Sequence, residues 1–214
     1  MKVSDYITNF LIDKNITKCF SVTGGFAMHL NDSFGQKLDV TYTHGEQPAG
    51  YAALGWSSYE HNPSICCVTS GCGTTNAITP CLIAYQDSVP VFFISGQVQK
   101  NDNIRSHGGR IRGYFGSDCD IVESVKSITK YAVELTDPGK VLYELERCYH
   151  SLTTGRIGPV WLSVPVDVQS MDVPETLHRY IAPDTNVNEE YMIPSEFLSL
   201  WANSKRPIVL AGNG

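Results

Sequence analysis

Hydrophobic and polar positions alternate along the chain in two rhythms. Tyr6, Ile7, Phe10 and Leu11 recur at helical spacing and predict a helix over 4–14. Cys19 to Val22 is a short apolar run ending in Thr23-Gly24-Gly25, which reads as a strand entering a turn. A helix over 26–34, a strand over 38–42 and an Ala-rich helix over 47–59 follow. Ser64 to Thr69 is continuously apolar, as expected of a parallel strand covered on both faces. The glycine turn Gly71-Cys72-Gly73 leads to a helix over 76–85 and a strand over 89–95. Beyond the loop that follows, the pattern predicts a helix over 121–125, a strand over 129–134, a helix over 138–152 and a strand over 160–164. Such alternation predicts an α/β fold, a three-layer doubly wound domain with a mainly parallel sheet of about six strands.

Two stretches break the rhythm. Residues 101–116 carry Gly108, Gly109, Gly113 and Gly116 with Arg105, Arg110 and Arg112, and show no periodicity. They read as a long loop, and long loops in compact domains usually serve function. Arg110 and Arg112 are taken as solvent-facing charges, with a carboxylate or phosphate as the alternative partner. After Gln169 come Pro174, Pro183 and Pro194 among several acidic residues. The expected organisation is a domain over 1–170, a linker over 171–204 and the first strand of a further domain over 205–214, with the natural chain continuing beyond it.

Composition narrows the function. Sixteen Lys and Arg stand against 22 Asp and Glu, a net charge of −6 with no basic block, which argues against nucleic acid or an anionic membrane as partner. No apolar run approaches the roughly 20 residues that span a bilayer. Residues 1–12 mix Lys2, Asp5 and Asn9 into their apolar positions, unlike a secretory signal. The seven cysteines are odd in number and lack CxxC or Cys/His spacing. They read as reduced, mostly buried thiols of a cytoplasmic protein, with no metal site assigned. Cys66 and Cys67, adjacent on a strand, should face opposite ways.

Ligands of parallel α/β sheets bind at the carboxyl ends of the strands. Four segments gather there: Thr23-Gly24-Gly25, His44-Gly45-Glu46-Gln47, Thr69 to Asn76, and Ser95-Gly96-Gln97. Glu46 is their one ionisable carboxylate, and it opens a helix whose macrodipole favours negative charge. No full GxGxxG, P-loop, GxSxG or HExxH occurs.

The string from Gly45-Glu46-Gln47-Pro48-Ala49 to Gly55-Trp56 resembles the HEQ-x-A segment of thiamine diphosphate enzymes. Thr69 to Asn76 is similar to their TSGPGATN turn, and Asp87-Ser88-Val89-Pro90 and Ser95-Gly96-Gln97-Val98 to DSVP and TGQV. Thr154 to Val160 with Val164 to Gln169 is similar to TSGRPGPV and PLDVQ. These matches stand in register over 1–170, and the nearest group is the acetolactate synthase-like branch. Gly24-Gly25 with Ala27 to Asn31 resembles its members from sugar and surface-polysaccharide loci.

The resemblance implies a pyrimidine-binding (PYR) domain of a carboligase acting on pyruvate or another 2-keto acid. Glu46 would be the catalytic carboxylate. Gly24, Gly25, Cys72 and Asn76 would line the cofactor with it, and Phe26, Gln97 and Ser117 would face the substrate. Magnesium would be held through a C-terminal domain whose Gly-Asp-Gly motif this sequence lacks. Flavin adenine dinucleotide (FAD) is carried by some members, mainly on the central domain. A homodimer or tetramer with the active site at the subunit interface is implied. The alternatives are a 2-keto acid decarboxylase, a nucleotide-sugar carboligase, or a noncatalytic dimerisation module. Three positions depart from the pattern. Cys72 replaces a proline, Gly45 stands where a histidine is usual with His44 before it, and Ser117-Asp118 replaces a Gln-Glu pair.

Overall fold

The computed structural model describes residues 1–108, 111–113, 116–183, 193–210 and 212. It divides into two units, Met1–Tyr180 and Ile181–Gly214. The strands of the first are β1 (Lys18–Ser21), β2 (Asp39–Tyr42), β3 (Ser64–Val68), β4 (Val91–Gln97), β5 (Tyr131–Glu134) and β6 (Val160–Pro165). They form one sheet in the order β2-β1-β3-β4-β6-β5, and every pairing is parallel. The helices are α1 (Val3–Asp13), α2 (Met28–Lys37), α3 (Glu46–Glu60), α4 (Cys72–Asn76), α5 (Ile78–Gln86), α6 (Ile121–Val125), α7 (Val141–Thr153) and α8 (Val166–Ser170).

Burial follows strand position. The central strands β3, β4 and β6 are buried along their whole length, while β2 at one edge is mostly exposed. Adjacent residues on a strand enter opposite layers. Cys67, Phe92, Ile94, Leu162 and Val164 pack with Ile7, Leu11, Leu30, Phe34, Leu145 and Leu152 of α1, α2 and α7. Cys66, Val68, Phe93 and Trp161 pack with Ala49, Ala53, Cys81, Ala84 and Val122 of α3, α5 and α6. Cys66 and Cys67 thus lie in different cores, as their adjacency requires. Small residues bring α3 close: a Cβ on Gly50 would lie 2.4 Å from Cγ of Pro80 on α5. Trp161 stacks on Phe93 at 5.0 Å, and its Nε1 donates to Ser95 Oγ at 3.0 Å.

Three stretches differ from the sequence reading. The helix expected over 26–34 opens with a 3₁₀ turn, Gly25–Ala27, and runs on to Lys37. The helix expected over 76–85 is α5, Ile78–Gln86, and the glycine turn before it closes into a short helix of its own, α4. The stretch 206–210 has no regular structure, with Ile208, Val209 and Leu210 exposed. An apolar strand needs neighbours to hydrogen-bond, and none pairs with it among the described residues. In the expected linker, residues 171–173 bond back to the amino terminus through Val3 N to Met171 O and Val173 N to Met1 O, both backbone bonds. The second unit holds α9 (Ser195–Asn203), with Phe197, Leu198, Leu200 and Trp201 exposed. No helix among the described residues is long and apolar enough to cross a membrane.

Candidate active site

The sheet reverses its winding between β1 and β3, the place where open α/β sheets form their binding crevice. Gly24, after β1, and Thr69, after β3, meet in it. A Cβ on Gly24 would lie 2.4 Å from Thr69 Cβ, so only glycine lets the two loops approach this closely. A Cβ on Gly73 would lie 2.7 Å from Thr69 Cγ2 and 3.3 Å from Glu46 Oε1, so this glycine leaves the carboxylate uncovered on that side. Around Gly25 a Cβ would meet nothing within 4 Å, and this part of the crevice is open.

Glu46 comes from the other side. Gly45, in extended backbone, caps α3, and Glu46 occupies its first turn, where the unpaired backbone N–H groups favour a negative charge. Asn76 Nδ2 donates to Glu46 Oε2 at 3.0 Å. This bond fixes the carboxylate's orientation and leaves Oε1 over Gly73. A cavity of about 270 Å³ opens beside the pair, lined by Gly45, Glu46, Gln47, Thr75, Asn76 and Thr79 among others. Gly71 has φ +60°, and a Cβ on it would lie 2.6 Å from the Ser117 carbonyl oxygen. The glycine turn and the loop before α6 therefore touch along their backbones.

Gly24, Glu46, Cys72, Asn76 and Ser117 thus fall around one crevice, tied by these contacts. Cys72 is exposed at the start of α4, Ser117 is partly buried, and Gly25 and Phe26 follow Gly24 on the open side. Gln97 stands apart. It is 1% exposed, its Nε2 donates to Cys119 O at 2.8 Å, and its Oε1 accepts from Val98 N at 3.0 Å. Both ends of its amide are engaged inside the protein. His44 is exposed, Arg112 is exposed, and Arg110 lies outside the described residues.

The loop over 101–116 is held at its base. Arg105 Nη1 meets Asp120 Oδ1 at 2.7 Å, and Asp120 also caps α6 by accepting from Glu123 N. Fully buried Asn103 donates to Glu134 Oε1 at 2.8 Å. Burial raises the Glu134 pKa above the ordinary 4.5, an effect that the Asn103 hydrogen bond and Arg105 oppose. Burial likewise pushes the Cys67 thiol up to about 12. Cys19, Cys66, Cys81 and Cys148 are also raised by burial, so these thiols are inert in the fold.

Sequence reasoning passed over Thr69 and Gly73 as individual residues, although both lie within the quoted turn. It also gave no role to Gly96. A Cβ there would lie 2.0 Å from the Phe26 carbonyl oxygen, which presses the Phe26 loop against the end of β4. A glycine just past the end of the apolar run 91–94 was the available signal.

A family model described as thiamine pyrophosphate enzyme, N-terminal TPP binding domain, matches residues 1–124. The acetolactate synthase large subunit of Corynebacterium glutamicum is 31% identical over 173 residues, covering 78% of this chain and 26% of that protein. The chloroplastic acetolactate synthase 2 of Nicotiana tabacum is 29% identical across the whole chain and 32% of its own length. The large subunit from Buchnera aphidicola is 27% identical over 99% of this chain and 37% of its own. The chain therefore spans about a third of the length of the curated relatives it matches.

Proposed function

Since the chain belongs to the thiamine pyrophosphate (thiamine diphosphate) enzymes, whose N-terminal TPP-binding domain it carries, we propose that it supplies the pyrimidine-binding half of an acetolactate synthase-like carboligase. The observation that carries this reading is the Glu46–Asn76 pair near the switch point, with Gly73 leaving Glu46 Oε1 uncovered. The residues fit the cofactor's aminopyrimidine. A flat heteroaromatic ring needs backbone uncovered by side chains, as at Gly25, and a carboxylate at its edge, as at Glu46. When bound, thiamine diphosphate supplies an acidic thiazolium carbon and an electron sink for 2-keto acid chemistry.

This chain's residues then have distinct tasks. Glu46 holds a proton with the ring nitrogen through its carboxylate, and so selects one protonation state of the pyrimidine. Asn76 keeps the carboxylate oriented. Cys72 and Ser117 border the reacting side, and Phe26 narrows it. Serine is shorter than the glutamine usual at position 117, so the acceptor pocket differs from that of typical relatives. The other half, with magnesium and the diphosphate, would come from a pyrophosphate-binding domain of a second subunit. A homodimer or tetramer follows, in the cytoplasm, with FAD as an option of the complete enzyme. Relatives named as acetolactate synthases do not favour the decarboxylase, nucleotide-sugar or noncatalytic alternatives.

The test is turnover. The full-length protein bearing this domain, given thiamine diphosphate, Mg²⁺ and pyruvate, should release carbon dioxide and form acetolactate. Absence of both with pyruvate and a panel of longer 2-keto acids would refute the assignment.

A further inference from the structure

The turn after β6 is one stretch of the sequence motif that the crevice chemistry does not use. Gln169, on α8, is fully buried. Its Nε2 donates to Phe26 O at 2.7 Å and to Val164 O at 2.8 Å, and its Oε1 accepts from Leu30 N at 3.4 Å. Both amide hydrogens and the amide oxygen are therefore used within one planar group. The Phe26 carbonyl is pinned from both sides: Gln169 reaches it from α8, and Gly96 of β4 leaves it just enough room. Two residues earlier, Asp167 Oδ1 accepts from Lys100 N at 3.0 Å and so holds the loop that leaves β4.

We propose that Gln169 is a positioning residue that fixes the Gly24–Ala27 loop and thereby sets the substrate-side wall formed by Phe26. The proposal about the wall rests on the carboligase reading above, whereas the fixing of the loop does not. A primary amide suits the position because it offers two donors and an acceptor at once. Glutamate, ionised, offers no donor to the two carbonyls. Methionine offers none in any state. Within the loop, Ala27 N donates to Gly24 O, and Phe26 is partly buried.

Two readouts test it on the full-length protein. The first is amide hydrogen exchange. Gln169→Met should speed exchange over residues 24–30 by about tenfold or more, with β3 and β4 unchanged, as expected when a local tether is lost. Gln169→Glu should exchange like Gln169→Met where its carboxyl is ionised. It should regain protection, after correction for intrinsic rates, at low pH where a neutral carboxyl donates again. Should Gln169→Met fail to fold, this pH dependence decides alone. Wild-type exchange over 24–30 in both variants at every pH would overturn the positioning role. The second readout is selectivity. The ratio of kcat/KM for pyruvate over a longer 2-keto acid should change by about fivefold in Gln169→Met, with the Kd of thiamine diphosphate within twofold of wild type, as for a wall displaced beside an intact cofactor site. An unchanged ratio alongside faster exchange would overturn the link to the wall. A wild-type protein with no 2-keto acid turnover would overturn the carboligase reading and the wall together, while the exchange result still judges the loop.

Discussion

At the scale of single residues, function concentrates where small or polar side chains interrupt apolar runs. Asn76 orients the Glu46 carboxylate, and Gly73 leaves its Oε1 uncovered. Thiols divide in the same way by environment. Five cysteines are buried, Cys119 is intermediate, and Cys72 alone of the seven is exposed, at the mouth of the crevice. A maleimide under native conditions should therefore modify Cys72 first, with Cys19, Cys66, Cys67, Cys81 and Cys148 reacting only on unfolding. Peptide mapping of labelled protein checks this, and early labelling of the buried set would contradict the packing. The crevice residues Glu46, Gly24, Cys72 and Asn76 were legible in the sequence because turn chemistry and motif register are local. The burial of Gln97 and its hydrogen bond to Cys119 O were not legible. Strand parity tells which face a side chain takes but not which loop covers that face.

At the scale of elements, two sites bear predictions. Gly50 keeps α3 against α5, with Pro80 Cγ 2.4 Å from where a Cβ would stand. Gly50→Val should destabilise the domain by about 1–3 kcal/mol through overpacking, measured by denaturant unfolding. Glu134 ends the edge strand β5, and burial raises its pKa. A raised carboxylate pKa means that the folded state binds the proton more tightly than the unfolded chain. Stability is therefore lost as pH rises from the ordinary 4.5 through the higher folded value. Glu134→Gln keeps the acceptor for Asn103 and removes the titration. The variant should gain on wild type as pH climbs across that window, and parallel pH profiles would contradict it. Helix and strand order was readable because α/β periodicities are distinct. The short α4 escaped because its glycines read as a turn rather than a helix. The exposed apolar run at 208–210 shows why a strand-like pattern alone does not make a strand: pairing is a tertiary property.

At the scale of the whole molecule, the sheet order makes the site. Parallel strands point all their carboxyl ends one way, and the reversal between β1 and β3 opens the crevice there. Loops from β1, β2 and β3 then deliver Gly24, Glu46 and Gly73 to one place from distant parts of the chain. The doubly wound class was legible from element alternation. The strand order was not, since it depends on which strands meet across long connections. The central claim is that Glu46 activates thiamine diphosphate. The most direct measurement is the rate of hydrogen–deuterium exchange at the thiazolium carbon of the cofactor, bound to full-length protein with Mg²⁺. Wild type should accelerate this exchange, and folded Glu46→Gln should slow it by about 10²- to 10⁴-fold, the scale of a general acid–base contribution. Exchange at the wild-type rate in a folded, cofactor-loaded Glu46→Gln protein would contradict the account.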